Sequence, residues 1–254
     1  MRNAFLKTLS ADLRQMLPFH AFVLAHAALV IGILTWRADF TATAYRQYAA
    51  QFGPVYFLGL PAILLLDKLV TGVFRNPKAP LAWMTLPTPA LLGHLAGAAA
   101  VFGSFILFMG SFTTFKTLMP AMRGGFPYDR AQADLDALLF GGVDPGPRLM
   151  ALFGNPHILS ILEWNYSVAW TAFAFVPIFF IVLRARGAVR LRYCLGFALV
   201  WAVLGNLLGW HYLIDGYTSI LVVLVLHIAL KRLFAAGSAA PVEDLKPSPS
   251  LARP

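Results

Sequence analysis

The stretch PALLGHLAGAAAVFGSFILFMGSFTTF, Pro89–Phe115, runs without a single Asp, Glu, Lys or Arg. A helix crosses a bilayer core with about 20 apolar residues, so this stretch reads as a membrane span, and the rest of the chain agrees. The 254 residues are 59% hydrophobic and 12% charged, with a mean hydropathy of +0.71. That is more apolar surface than a soluble core of this size buries. Further apolar segments lie at His20–Trp36, Gly53–Phe74, Ile161–Leu183, Tyr193–Leu208 and Trp210–Leu233. The expected fold is all-α: a polytopic membrane helix bundle of about six transmembrane helices. Asp67 and Lys68 interrupt the second segment and are expected to snorkel, to pair or to face the bundle interior.

The basic residues set the orientation. Arg2, Lys7 and Arg14 precede the first span, and Arg75 and Lys78 follow the second. Arg184, Arg186, Arg190 and Arg192 crowd the loop after the fourth, and Lys231 and Arg232 close the sixth. With six spans all of these fall on one side, so both termini are expected in the cytoplasm and the loops after spans one, three and five outside. The net charge of +9 is therefore read as orientation, and nucleic acid is not an expected partner. Residues 1–19 are charged and amphipathic, and with Asp12 among them the following apolar run reads as an uncleaved first span despite the Ala42-Thr43-Ala44 wording. Residues 1–234 are expected to form the membrane domain and 235–254, rich in Ala, Pro and Ser, a disordered cytoplasmic tail. A single cysteine, Cys194, excludes an internal disulfide. No metal site and no cofactor is expected, since no His-x-x-x-His and no carboxylate cluster with ligand spacing is found.

Two patterns carry chemistry. In Gly209-Trp210-His211-Tyr212-Leu213-Ile214-Asp215-Gly216-Tyr217 an imidazole and a carboxylate stand four residues apart. On a helix they share a face, so the carboxylate can hold one ring nitrogen and leave the other free to react. A hydrogen-bonded helix start is the plainer reading of the same spacing. In Phe115-Lys116-Thr117-Leu118-Met119-Pro120-Ala121-Met122-Arg123 a lysine and an arginine stand seven residues apart where the third span is expected to emerge into a polar outer segment, roughly 116–160. Both heads are permanent donors and suit a phosphate; they suit lipid headgroups equally well as snorkelling cations.

Taken together with Phe112-Thr113-Thr114, Asp136-Ala137-Leu138-Leu139-Phe140-Gly141 and Asp144-Pro145, these blocks resemble the type 2 phosphatidic acid phosphatase superfamily, in its branch related to inositol phosphorylceramide synthases. The likeness runs from the third span to the last. It implies a lipid-phosphate phosphatase or phosphotransferase at the outer face, acting on a membrane lipid phosphate or diphosphate, in a bacterial inner membrane with its site facing the periplasm. By the same resemblance Lys116 and Arg123 bind the phosphate, His211 attacks phosphorus and Asp215 orients it.

The departures are specific. The Pro-Ser block followed by a proton-donating histidine is absent, its nearest wording being Trp164-Asn165-Tyr166-Ser167, and the arginine six residues before the nucleophile would fall at Gly205. Loss of one outer loop and two spans between Trp201 and Gly209 accounts for both and leaves His211 outside. His157 and Glu163, in or beside the outer segment, are candidate proton sources. His94 and His227 lie inside spans and are expected to hydrogen-bond between helices. Three classes of function follow: the enzyme, a non-catalytic relative that keeps a phosphate pocket as a lipid-binding or accessory subunit, and a transporter. No paired broken helices or internal symmetry speak for the last.

Overall fold

In the computed structural model, every element among the described residues is helical. These residues are 2–75, 77–79, 81, 87–125, 129–185, 187–207 and 213–235, with the backbone alone described at 167, 170, 204–207, 213–220, 222 and 234–235. The first half comprises α1 (Arg2–Gln15), α2 (Leu17–Arg37), α3 (Tyr45–Pro54), α4 (Leu60–Arg75) and α5 (Pro89–Arg123). The second comprises α6 (Asp129–Leu139), α7 (Pro145–Phe153), α8 (Pro156–Trp164), α9 (Trp170–Arg184), α10 (Gly187–Leu207) and α11 (Leu213–Ala235). Five-residue π-helical turns join α3 to α4 at Val55–Gly59 and α8 to α9 at Asn165–Ala169. The first of these turns is closed by the Leu60 N–H donating to the Val55 carbonyl. The expected tail lies outside the described residues from 236 onward.

Among the described residues three helical segments are long and apolar enough to cross a membrane: Leu17–Arg37, Tyr45–Arg75 and Pro89–Arg123. The last is the spine. Thr88 caps it, its hydroxyl accepting the Leu91 N–H at 3.2 Å, with Pro89 in the first turn. Gly124 at φ 72° ends it, and the Gly125 N–H returns to the Pro120 carbonyl at 2.8 Å. Its 35 residues span about 52 Å at 1.5 Å per residue, well beyond a bilayer core.

The contacts along α5 give each neighbour a direction. Asp12 lies against Gly97, His20 Nδ1 is 2.8 Å from Ser104 Oγ, and Phe19 packs on Phe105. Farther along, Val30 and Leu34 cluster with Leu118. The α1–α2 pair therefore runs parallel to α5. Tyr45 meets Gly110 and Tyr56 stacks on Phe102, so α3–α4 runs the other way. Phe179 stacks on Phe102, and the Leu183 carbonyl is 3.0 Å from His94 Nε2, so α9 also runs antiparallel. Phe197 packs edge-on to Phe105 and Trp201 to Phe112, making α10 parallel. A Cβ on Gly196 would stand 3.0 Å from Leu230 Cδ1, and α11 lies beside α10 in the opposite sense. The described helices α10 and α11 are thus antiparallel neighbours, with residues 208–212 between them outside the described residues.

Asp67 and Lys68 are both exposed, which removes the bundle interior from their expected roles. They lie on α4, whose Leu65, Leu66 and Leu69 are exposed as well. The polar character lies instead at the α1 end. Arg190, at 0% exposure, sends Nη2 to Asp12 Oδ1 at 3.1 Å and to Gln15 Oε1 at 3.3 Å, and Nη1 to Asp12 Oδ2 at 3.3 Å. His94 Nδ1 is 2.6 Å from the same Oδ2. Room for this comes from glycine: a Cβ on Gly93 would stand 2.5 Å from the Phe5 carbonyl, and one on Gly97 would stand 2.8 Å from Asp12 Cβ.

Removing Arg190 leaves Asp12 with His94 alone. Breaking a buried ion pair typically costs 3–5 kcal/mol, and since His94 still compensates, Arg190→Met is expected to lose about 3 kcal/mol of stability. Thermal unfolding of the detergent-solubilised chain measures this. Gly93→Leu, which closes the space at Phe5, should lower the midpoint similarly and make α1 sensitive to protease; an unchanged midpoint in both variants would remove the network from the fold's stability.

Candidate functional site

The segment 116–160, expected outside, is not the polar loop that its composition suggests. Helix α5 continues through Lys116 to Arg123 because its apolar face continues: Leu118 and Met119 are 2% and 7% exposed, and Leu118 closes the cluster with Val30 and Leu34. Pro120 is held inside this helix, where its lack of an N–H frees the Lys116 carbonyl from the backbone ladder. The segment beyond is helical too, with start signals of one kind. Asp144 Oδ1 accepts the Gly146 N–H at 2.8 Å before Pro145, and Asn155 Oδ1 accepts the His157 N–H at 2.9 Å before Pro156. Each is an N-cap followed by proline in the first turn.

Lys116 is half-buried and Arg123, the last residue of α5, is exposed. Seven residues are almost two full helical turns, so the two stems leave nearly the same face about 10 Å apart along the axis. Asp215 belongs to the first turn of α11, with only its backbone described. His211 lies outside the described residues, as do Gly209, Trp210 and Tyr212.

Helix direction relates these positions. Because α5 and α10 are parallel and α11 returns beside α10, the end of α5 that carries Lys116 and Arg123 is also the end where α11 begins. Helix α6 packs against α11 and carries Asp136, buried at 6% exposure.

The same end is fastened by the connection between α2 and α3. Ala38 turns it in the left-handed region at φ 51°. Asp39 Oδ1 then accepts the Thr41 hydroxyl at 2.6 Å and the Thr41 N–H at 2.9 Å, which holds the Asp39 carboxyl below its ordinary range. Next, the Ala44 N–H donates to Thr114 Oγ1 at 2.9 Å, and that hydroxyl donates to the Gly110 carbonyl at 2.7 Å. Thr113 Oγ1 donates to the Tyr48 hydroxyl at 2.8 Å. Thr113 and Thr114 therefore tie α3 to α5 beside Lys116.

Other expected positions resolve individually. His157 and Glu163 are exposed. His94 makes the interhelical contacts expected of it, to Asp12 on α1 and to the Leu183 carbonyl on α9. His227 departs from expectation: it is exposed and lines a groove between α10 and α11. Among the described residues no three of His, Cys, Asp and Glu come together as metal ligands would. Compared with protein-family models, with curated proteins and with solved structures, the chain matches none.

Thr114 is fully buried, and an unsatisfied buried backbone donor costs about 1–3 kcal/mol. Thr114→Val is therefore expected to destabilise the chain by that amount through the Ala44 N–H. Thr113→Val, at a half-buried position facing a hydroxyl, should cost less. Chemical unfolding of both variants followed by circular dichroism gives the comparison, and the reverse order would show that Thr114 does not hold this connection.

Proposed function

We propose that this chain is a six-span membrane protein, with both termini cytoplasmic, that binds a lipid phosphate or diphosphate at its outer face and transfers its phosphoryl group through His211. The observation that carries the reading is the shared end: Lys116, half-buried on α5, and Asp215, in the first turn of α11, belong to one end of the bundle. The alternating directions of α1–α2, α3–α4, α5, α9, α10 and α11 are what six spans require. Arg75, Arg184, Arg192 and Lys231 then share the other end, which the distribution of basic residues makes cytoplasmic. In a bacterial cell the site would face the periplasm.

The chemistry follows from the residue types. Lys116 and Arg123 neutralise the phosphate. His211 attacks phosphorus and the bond to the leaving oxygen breaks, giving a phosphohistidine that water or an acceptor hydroxyl then cleaves, while Asp215 holds the second ring nitrogen. A leaving alkoxide must be protonated, whereas a leaving phosphate needs this far less. The missing proton-donating block therefore favours a lipid diphosphate as substrate. That same absence favours a second reading, in which the chain binds a lipid phosphate without turning it over.

The two readings separate on a lipid diphosphate, comparing wild type with His211→Ala in detergent. Turnover and acid-labile phosphohistidine should vanish in the variant and fall in Asp215→Asn; equal rates in wild type and His211→Ala would leave only the binding reading. Under both, Lys116→Ala should weaken lipid phosphate binding about tenfold, the loss of a charged hydrogen bond. Exposed Arg123 should matter less, within about fivefold.

Orientation has its own check. Cys194 is buried, so single cysteines placed at Thr41 and Arg123 should react with an impermeant maleimide in sealed right-side-out vesicles. Cysteines placed at Arg75 and Arg184 should react only after permeabilisation. The opposite pattern would reverse the topology.

A further inference from the structure

The groove between α10 and α11 reaches toward the helix ends remote from Asp215, and its reading rests on the six-span proposal but not on phosphoryl transfer. Its volume is about 690 Å³, within the ordinary range for small-ligand sites. Its character changes along its length. Phe197, Val200, Trp201, Val223 and Leu226 line the part nearer the middle of the helices, Arg192 and Lys231 the part nearer their ends with Tyr193 and His227 between, and no acidic residue lines it among the described residues. Beside the groove a Cβ on Gly196 would stand 3.0 Å from Leu230 Cδ1, so the glycine lets Leu230 pack against α10 without giving way. Arg192 is half-buried, its stem fixed by a bond from Nε to the Ala188 carbonyl at 3.2 Å.

Depth decides what fits. Arg192 is five residues into α10 and Lys231 four residues from the end of α11, which puts both within about 8 Å of the helix ends, at headgroup level. Trp201 lies nine residues beyond Arg192, about 13 Å deeper, less than half of a bilayer core of about 30 Å. The site therefore serves one leaflet. Two permanent cations without an acidic neighbour select a negative headgroup, and an apolar channel running inward from them selects an acyl chain. We infer that this groove binds one anionic phospholipid of the leaflet at that face, its phosphate between Arg192 and Lys231 and one acyl chain along Phe197, Val200 and Trp201.

Native mass spectrometry of the full purified chain tests this, with phosphatidylglycerol and phosphatidylcholine of identical chains added to the detergent. Wild type should retain one phosphatidylglycerol, preferred over phosphatidylcholine about tenfold, as two basic residues near a headgroup provide. The double variant Arg192→Gln with Lys231→Gln should lose the preference. The charge-matched control Arg184→Gln with Arg232→Gln, outside the groove, should keep it. Val200→Trp, which fills the apolar part, should lose the bound lipid while Arg192 and Lys231 remain. Equal retention of the two lipids by wild type, a preference that survives in the double variant or falls equally in the control, or displacement of the lipid by excess inorganic phosphate would each overturn the proposal. Should Val200→Trp not fold, the two charge variants decide alone.

Discussion

Arg190 has no exposed surface, and one end of the bundle is arranged around that fact. A guanidinium in an apolar setting is tolerated only when paired. Its pair, Asp12, is delivered by a helix that would otherwise have little reason to be there. Helix α1 is amphipathic and carries three basic residues, a segment that composition alone would leave on the membrane surface. The carboxylate draws it onto α5, and Gly93 and Gly97 let the backbones approach closely enough for Arg190 and His94 to reach the same oxygen. Charge supplies the demand and small residues the access; neither alone would bring α1 into the bundle.

The consequence reaches the far end through direction. Once α1–α2 lies parallel to α5 along its whole length, the residues after α2 must emerge beside Thr113, Thr114 and Lys116, where Ala44 and Tyr48 find their hydroxyl partners. Helices α9 and α10 are registered by the same network at their junction, so the end of α10 and the start of α11 rise beside the end of α5. The positions proposed to handle phosphate thus share an end because of contacts made at the other.

What the sequence disclosed, and what it hid, follow from range. Apolar runs are local, and the described residues of the anticipated segments lie in helix, three of them in helical stretches long and apolar enough to cross a membrane. The helical continuation to Arg123 was obscured because Lys116, Thr117 and Pro120 look like an exit from the membrane, although Leu118 and Met119 keep the apolar face. The helix starts at Asp144-Pro145 and Asn155-Pro156 lie inside what reads as a loop and were missed. The close approach at Gly93 and Gly97, whose spacing is that of close helix pairs, was not read from the sequence. Nor was the union of Asp12, His94 and Arg190, since no pattern within one helix records a partner on another. The pairing of His211 with Asp215 remains an inference from spacing.

The ion pair joins residues 178 positions apart. During synthesis from the N-terminus, α1 can rest against the glycines of α5 early, but Asp12 gains its permanent counter-charge only when α10 has emerged. Until then His94 is its sole described partner. The first helix made is thus among the last to be locked, since its fastening waits for the start of α10. A chain interrupted before Arg190 would leave Asp12, the one carboxylate of a net basic amphipathic helix, held by His94 alone.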